Sequence, residues 1–239
     1  MESPERVRVL RGRATTIEGD RAESERLLEV AAGGERAVRV WAPHRQVAFG
    51  RRDVRLEGYE RARKRAHEHD FPPVERSVGG RAVAYDGTNA LAFARAEPVA
   101  DFRRGTDERY ERLTSDVEGV LEGLGLEPVR DEPADSFCPG AHSISLTSTD
   151  GSLRKVVGIA QRVRSDGALV SGIIVVDAAD ELAAVLEAVY GALDVPFDPA
   201  SVGSVADGGG AVDPDRIRNR LEDALVGDGE PVFEDISST

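Results

Sequence analysis

Two residues, Cys138 and Lys155, carry most of the chemistry that this sequence offers. Cys138 is the single cysteine and lies in Ser136-Phe-Cys-Pro-Gly140, a loop setting and not an apolar periodic face. Most lone cysteines are small buried hydrophobes. A cysteine acts as a nucleophile only as thiolate, and at a reference pKa of about 8.5 a few per cent is ionised at neutral pH, so catalysis by Cys138 requires a cation or base beside it. Lys155 opens an apolar run, Arg154-Lys-Val-Val-Gly-Ile-Ala-Gln-Arg162. The ordinary reading of such a lysine is a packed stem with its ammonium in water. Here the 31 basic residues are arginines except for Lys64 and Lys155, so the compact ammonium, and not charge alone, is what position 155 retains. By period two its same-face neighbours are Val157, Ile159 and Gln161.

A third segment, Arg76 to Asp86, contains Gly79 and Gly80 between two strand-like runs. Adjacent glycines there are either a tight turn or a cradle whose backbone N–H groups approach an acyl or phosphate group closely. The spacing matches neither the dinucleotide fingerprint nor a P-loop. Val78 and Val83 flank the pair as candidate walls of an acyl tunnel. His142, four residues after Cys138, is an alternative base or a structural residue.

These segments need a frame. A chain of 239 residues is long enough for one domain with a full core, and no apolar run approaches the roughly 20 residues of a membrane span. The first 13 residues lack the continuous apolar stretch of a secretory signal, so a soluble, cytoplasmic protein is expected. One cysteine excludes an internal disulfide and a multi-cysteine metal site. Forty-four acids against 31 bases, a formal charge of -13, argue against a nucleic-acid surface and suggest a surface adapted to high salt. Helices are expected at Asp20 to Ala32, Val54 to His69, Asp107 to Leu124 with Thr106 as N-cap, Ala179 to Leu193 and Pro214 to Leu225. Strands are expected at Ala37 to Trp41, Gln46 to Phe49, Val74 to Arg76, Ala82 to Tyr85, Ala90 to Ala94 and Ala168 to Val176, the glycine-separated trio from Val74 to Ala94 as neighbours in one sheet. His142 to Leu146 and Lys155 to Arg164 read as a hairpin. With its turn near Asp150, Lys155 pairs with about Ser145 and Cys138 falls opposite Gln161. Thiol and ammonium then meet only if the loop folds back at Pro139-Gly140. The whole reads as a single α+β domain around a mixed, largely antiparallel sheet flanked by helices.

In order and spacing these segments resemble the biotin/lipoate protein ligase and lipoyl/octanoyl transferase family. Arg76 to Asn89 resembles its arginine- and glycine-rich acyl-pocket segment, Arg154 to Gln161 its lysine-glycine-alanine-glutamine segment, and Arg39-Val-Trp to Gly50-Arg51 its first strand pair. The cysteine segment is most similar to the octanoyl amidotransferase branch. The resemblance implies the class II aminoacyl-tRNA synthetase/biotin synthetase-like fold, with an arm or strand over 1–19, a catalytic domain over 20–226 and a flexible tail over 227–239. It implies Cys138 and Lys155 as catalytic residues and Arg76, Gly79, Gly80, Val83, Asn89, Gly158, Ala160 and Gln161 as substrate contacts, with no metal ligand. The implied reaction moves an octanoyl or lipoyl group between lipoyl domains, the glycine-cleavage H protein and the E2 subunits of 2-oxoacid dehydrogenases, through a cysteine thioester without a cofactor. The alternatives are an ATP- and magnesium-dependent lipoate ligase, as catalytic subunit of a two-part enzyme, and a non-catalytic acyl-binding homologue. Ligases typically lack the cysteine and many add an accessory domain for which this chain has no room. Arg81 stands where ligases often have a third glycine and Tyr85 where they often have histidine, which weakens the adenylate reading.

Overall fold

Capping chemistry sets the helix ends. The computed structural model describes residues 5–76, 80–210 and 213–236. Strand β1 (Arg6–Arg11) leads to α1 (Ile17–Ala32), whose N-cap Thr16 accepts a hydrogen bond from Gly19 N at 3.0 Å and which stops at Gly33. Then come β2 (Arg36–Trp41), β3 (Gln46–Phe49), α2 (Tyr59–Glu68), β4 (Pro73–Glu75), β5 (Val83–Tyr85), β6 (Ala90–Pro98) and α3 (Thr106–Glu122). After α3 follow β7 (Pro128–Val129), β8 (Ser143–Thr147), β9 (Leu153–Val163), β10 (Gly167–Val175), α4 (Ala179–Leu193), α5 (Pro214–Val226) and β11 (Glu230–Asp235). In α5, Asp213 caps Arg216 N at 3.1 Å and Pro214 occupies the first turn, where its missing N–H costs nothing.

Eight strands form one sheet in the order β11-β1-β2-β6-β10-β9-β8-β7, parallel from β11 to β2 and antiparallel thereafter. This is the expected mixed α+β sheet. One face carries α3 and α5 over Val38, Leu91, Phe93, Val170 and Ile174. The other carries α1 on one side, over Ala94, Ala96 and Leu169, and on the other a second sheet of order β4-β3-β5 with α2 and α4 behind it.

Several expectations need correction. The strands from Val74 to Ala94 do not share a sheet: β4 and β5 flank β3 in the small sheet, whereas β6 lies at the centre of the large one. Runs of three residues carry too little alternation to say which layer they join. The second helix starts at Tyr59, not Val54, because Asp53 turns back to accept Gly50 N at 3.0 Å and holds residues 51–58 in turns. The cap of α3 is Gly105, at φ +74°, and not Thr106. Of the arm or strand expected over 1–19, residues 6–11 form an interior strand, whereas residues 230–235, expected as a flexible tail, are a strand beside it. That last strand shows only Val232 and Phe233 as apolar side chains, so its sequence has little β signal. Arg11 stacks over the Phe233 ring at 3.9 Å, and Ile236 beyond it is buried.

Candidate active site

Between α1 and the small sheet the large sheet's face is uncovered, and its own side chains are small there. Across the strands, Ala94, Ser171 and Ala160 lie in register, as do Trp41, Ala92, Ile173 and Gly158. The small residues of these rows, Ala94, Ser171, Ala160, Ala92 and Gly158, leave a cavity of about 260 Å³ over the floor, just below the roughly 300–1,000 Å³ typical of small-molecule sites. Val74, Val83 and Tyr85 wall it on one side, Asp20 and Ser24 of α1 on the other. Behind α1, the buried Arg39 pairs with Asp20 at 2.6 Å and stacks over Trp41 at 4.2 Å, fixing that indole in the wall.

Lys155 reaches this cavity through an irregularity. Ser145 pairs with Lys155, the expected register, but Ile144 pairs with Val157, so Val156 is an extra residue in β9. Val156 and Val157 both join the core under α3. Parity therefore flips, and Lys155 shares its face with Gly158, whose missing Cβ would sit 3.7 Å from Lys155 Cε, in place of Val157, Ile159 and Gln161. The side chain is 1% exposed. Its ammonium donates to Glu132 Oε2 at 3.0 Å and to the carbonyl oxygens of Phe137 at 2.9 Å and Cys138 at 3.1 Å. The loop before β8 has thus folded back over β9, but the ammonium meets the Cys138 carbonyl, whereas the thiol takes its hydrogen bonds from Arg76 and the Arg81 N–H.

Glu132 is the hub of that loop. Besides Lys155, it accepts from Ser143 Oγ at 2.7 Å, Gly140 N at 2.9 Å and Ser136 Oγ at 3.3 Å. Burial alone would raise its carboxyl, but these donors, Ser143 and Lys155 foremost, hold it below the ordinary value. Burial lowers the Lys155 ammonium, a shift that Glu132 opposes.

Cys138 itself sits at φ +41°, a left-handed conformation rare for a residue with a side chain. Its N–H donates to Tyr190 Oη at 2.7 Å, and the Tyr190 hydroxyl in turn donates to Ala82 O at 2.9 Å. The sulfur lines the cavity and receives Arg76 Nη2 at 3.1 Å and the backbone N–H of Arg81 at 3.4 Å. Arg76 also donates to Arg81 O at 2.6 Å. Burial would lower the Arg76 guanidinium, but Cys138 and the tyrosines around it more than offset that and hold it above its ordinary value. Gly80, at φ +90°, leaves room for the contact: a Cβ there would lie 2.8 Å from the sulfur.

The structure thus brings Cys138, Lys155, Arg76, Val83, Gly158 and Ala160 to one cavity, with Gly80 against the sulfur. Gly79 and Val78 fall outside the described residues. Two expected substrate contacts face elsewhere. Asn89 donates to Glu181 Oε2 at 2.9 Å, and Gln161 donates to Thr106 O at 3.2 Å and accepts from Arg109, pinning the start of α3. His142 lines the cavity and stacks on Tyr110 at 3.7 Å. Sequence reasoning missed Glu132 and Tyr190 and did not see Arg76 as the partner of the sulfur. In a chain so rich in acids and arginines, neither Glu132 nor Arg76 stands out by type.

The eight-stranded mixed sheet with its small second sheet is a fold shared with solved lipoate-protein ligases. The structure matches lipoate-protein ligase A bound with ATP at a TM-score of 0.72 and 20% identity, over 98% of this chain and 90% of that one. Ta0514 of T. acidophilum, a putative lipoate protein ligase with bound lipoic acid, matches at 0.70 and 18%, over 100% of this chain and 90% of that one. At such identities the likeness is one of fold. The chain belongs to the lipoyl protein ligase A/B catalytic domain family, whose model matches residues 21–225. Among curated proteins it is similar to the octanoyl-[GcvH]:protein N-octanoyltransferases of Kyrpidia tusciae, 35% identical over 133 residues, and of an Exiguobacterium species, 31% over 125. Those matches cover 55% and 52% of this chain, but 43% and 42% of the relatives, so less than half of their length is matched.

Proposed function

We propose that this chain is an acyltransferase that carries an octanoyl or lipoyl group as a thioester on Cys138 and passes it to the lysine of a lipoyl domain. The observation that carries this reading is the sulfur of Cys138 in the wall of an apolar cavity, 3.1 Å from the guanidinium of the half-buried Arg76. A fixed cation there supports negative charge on sulfur. The sulfur attacks the carbonyl carbon of an acyl-lysine amide, forming the C–S bond. The C–N bond then breaks and the donor's amine leaves with a proton. The acceptor's lysine, entering as free amine, forms a new C–N bond, loses its proton, and expels the sulfur as thiolate.

Val83, Ala160, Gly158, Ala92 and Ser171 would contact the acyl chain, and Arg76 and Gly80 would frame its carbonyl. The H protein of glycine cleavage, after which the relatives are named, is the first candidate donor, and E2 subunits of 2-oxoacid dehydrogenases are candidate acceptors. Partners of this kind would support a cytoplasmic location. No helix among the described residues is long and apolar enough to cross a membrane. The reaction exchanges one amide for another and needs no ATP.

Intact-mass measurement after mixing with octanoylated H protein tests this. The expected result is a mass increase of one octanoyl group, removed by hydroxylamine and absent in Cys138→Ala. Acyl-adenylate formation from octanoate, ATP and magnesium that survives Cys138→Ala would replace the transferase by a ligase.

A further inference from the structure

Two cations, the buried Lys155 and the half-buried Arg76, approach Cys138, and they do different things. The Lys155 ammonium has three protons to donate. All three have acceptors, in Glu132 and in the carbonyls of Phe137 and Cys138, at 2.9 to 3.1 Å. Nothing is left for sulfur unless one of these bonds is given up. They hold the peptide that bears the nucleophile, including the carbonyl of a residue at φ +41°. The sulfur's own donors are Arg76 Nη2 and the Arg81 N–H, presented by the Gly80 turn from the other side of the cavity. In addition, Arg76 Nε is buried and has no hydrogen-bond partner among the described residues, so that a donor remains unspent in the same wall.

We infer that Arg76 is the catalytic cation, holding the charge of the Cys138 sulfur, and that Lys155 with Glu132 is a positioning pair that clamps the cysteine loop. This rests on the thioester reading above and divides its labour. In the attack step the electron pair leaves sulfur for the acyl carbon. When the thioester is cleaved it returns to sulfur, and Arg76 is in contact with that atom at both stages. Lys155 acts through the loop, so its replacement moves the nucleophile without removing the charge that faces it. The other titratable groups around Cys138 include Tyr85, Tyr110 and Tyr190, each held above its ordinary value chiefly by burial and hence neutral near pH 7, and His142, stacked on Tyr110 in the cavity wall. Beyond them lie Asp53, through Arg81, and Glu132, through Lys155.

The test needs no acyl donor. Because Cys138 is the single cysteine, iodoacetamide labelling of the full chain reports on one sulfur. The labelling rate at about pH 7, divided by the rate at about pH 9.5, follows its ionisation and cancels its accessibility. Loss of an adjacent cation should lower that ratio by about tenfold or more in Arg76→Gln, and by less in Arg76→Lys, which keeps the charge as a point. Removing the other pair together, as Lys155→Met with Glu132→Gln, avoids stranding a buried charge. That double variant should keep the ratio within about threefold while hydrogen exchange across residues 131–142 accelerates. A tenfold fall in the double variant with little change in Arg76→Gln would overturn the assignment, as would an unchanged ratio in both. If the labelling ratios come out as expected but no acyl-enzyme forms with any lipoyl-domain donor, the transferase reading fails and the Arg76 assignment stands. The converse pattern separates them the other way.

Discussion

Tyr190 on α4 accepts the backbone N–H of Cys138 at 2.7 Å and donates to Ala82 O at 2.9 Å, so one hydroxyl ties the nucleophile loop to the small sheet. The ring is 1% exposed. Tyr190→Phe strands a buried donor and a buried acceptor together, and each such group costs about 1–3 kcal/mol. Urea unfolding should show a loss of about 2–6 kcal/mol with an unchanged slope. Acyl transfer should fall further than the folded fraction accounts for, since the loop loses a tether. An equally stable variant would show that the tether contributes nothing.

Gly80 presents the Arg81 N–H to the sulfur only because it has no side chain. A Cβ there would lie 2.8 Å from Cys138 Sγ and 2.9 Å from Arg76 Nη2, and φ is +90°. Gly80→Ala should cost about 1–2 kcal/mol for the backbone alone. Displacing sulfur or guanidinium by an ångström should lower the acylation rate by roughly 100-fold. Single-turnover acylation of a sample shown to be folded by circular dichroism measures this, and a rate within threefold of the parent would refute it.

The cavity floor is open because Ala94, Ser171 and Ala160 form a row of small side chains across three strands. Ser171→Leu adds apolar bulk at the middle of that row without stranding a polar partner. Octanoyl transfer should drop about tenfold or more while a butanoyl donor loses much less, because the lost contacts are those of the chain's distal carbons, at about 0.8 kcal/mol per buried CH₂. Equal losses for both chain lengths would place the acyl chain elsewhere.

The pH dependence of the clamp has a defined sign. Glu132 titrates below its ordinary value in the folded chain, since its hydrogen bonds with Ser143 and Lys155 outweigh its burial. Its contribution to stability is therefore fully present above the unfolded value near 4.5 and is lost as pH falls through the lower, folded value. Glu132→Gln should lower stability at neutral pH and flatten the acid limb of the stability profile. Chemical denaturation at a series of pH values checks it: parallel limbs for the two proteins would mean that Glu132 is not coupled to folding.

How far the sequence revealed this site depends on the residue. Rarity made Cys138 and Lys155 legible: one cysteine and two lysines stand out among arginines. The hairpin register that pairs Lys155 with Ser145 followed from the turn near Asp150. The face that Lys155 occupies did not, because one extra residue at Val156 inverts the parity of everything before it, and a bulge between two valines leaves no mark in an apolar run. Gln161, expected as a substrate contact from family likeness and on the face of Lys155 by period two, bonds instead to the start of α3. Arg76 and Glu132 were hidden by abundance, and their roles come from chain segments 62 and 23 residues away from their partners in sequence.

The same gap between local signal and tertiary role governs the C-terminal strand. β11 has two apolar side chains in six residues, yet it completes the sheet by pairing with β1 along its whole length, from Glu230 opposite Arg6 to Asp235 opposite Arg11. Arg11 lies between the Phe233 ring and Glu222 of α5, and Ile236 is 1% exposed among Leu10, Leu27 and Leu28. Ending the chain at Val226 would therefore do more than shorten a tail. It would expose β1 as an open edge and remove a buried isoleucine worth roughly 1.5–3 kcal/mol. The truncated protein should unfold at lower temperature and associate as its concentration rises, which differential scanning calorimetry with light scattering would detect. The cavity lies over β2, β6, β10 and β9, with β1 between it and β11, so acylation of Cys138 should persist in whatever fraction stays folded. A truncated chain as stable and monodisperse as the parent would show β11 to be dispensable.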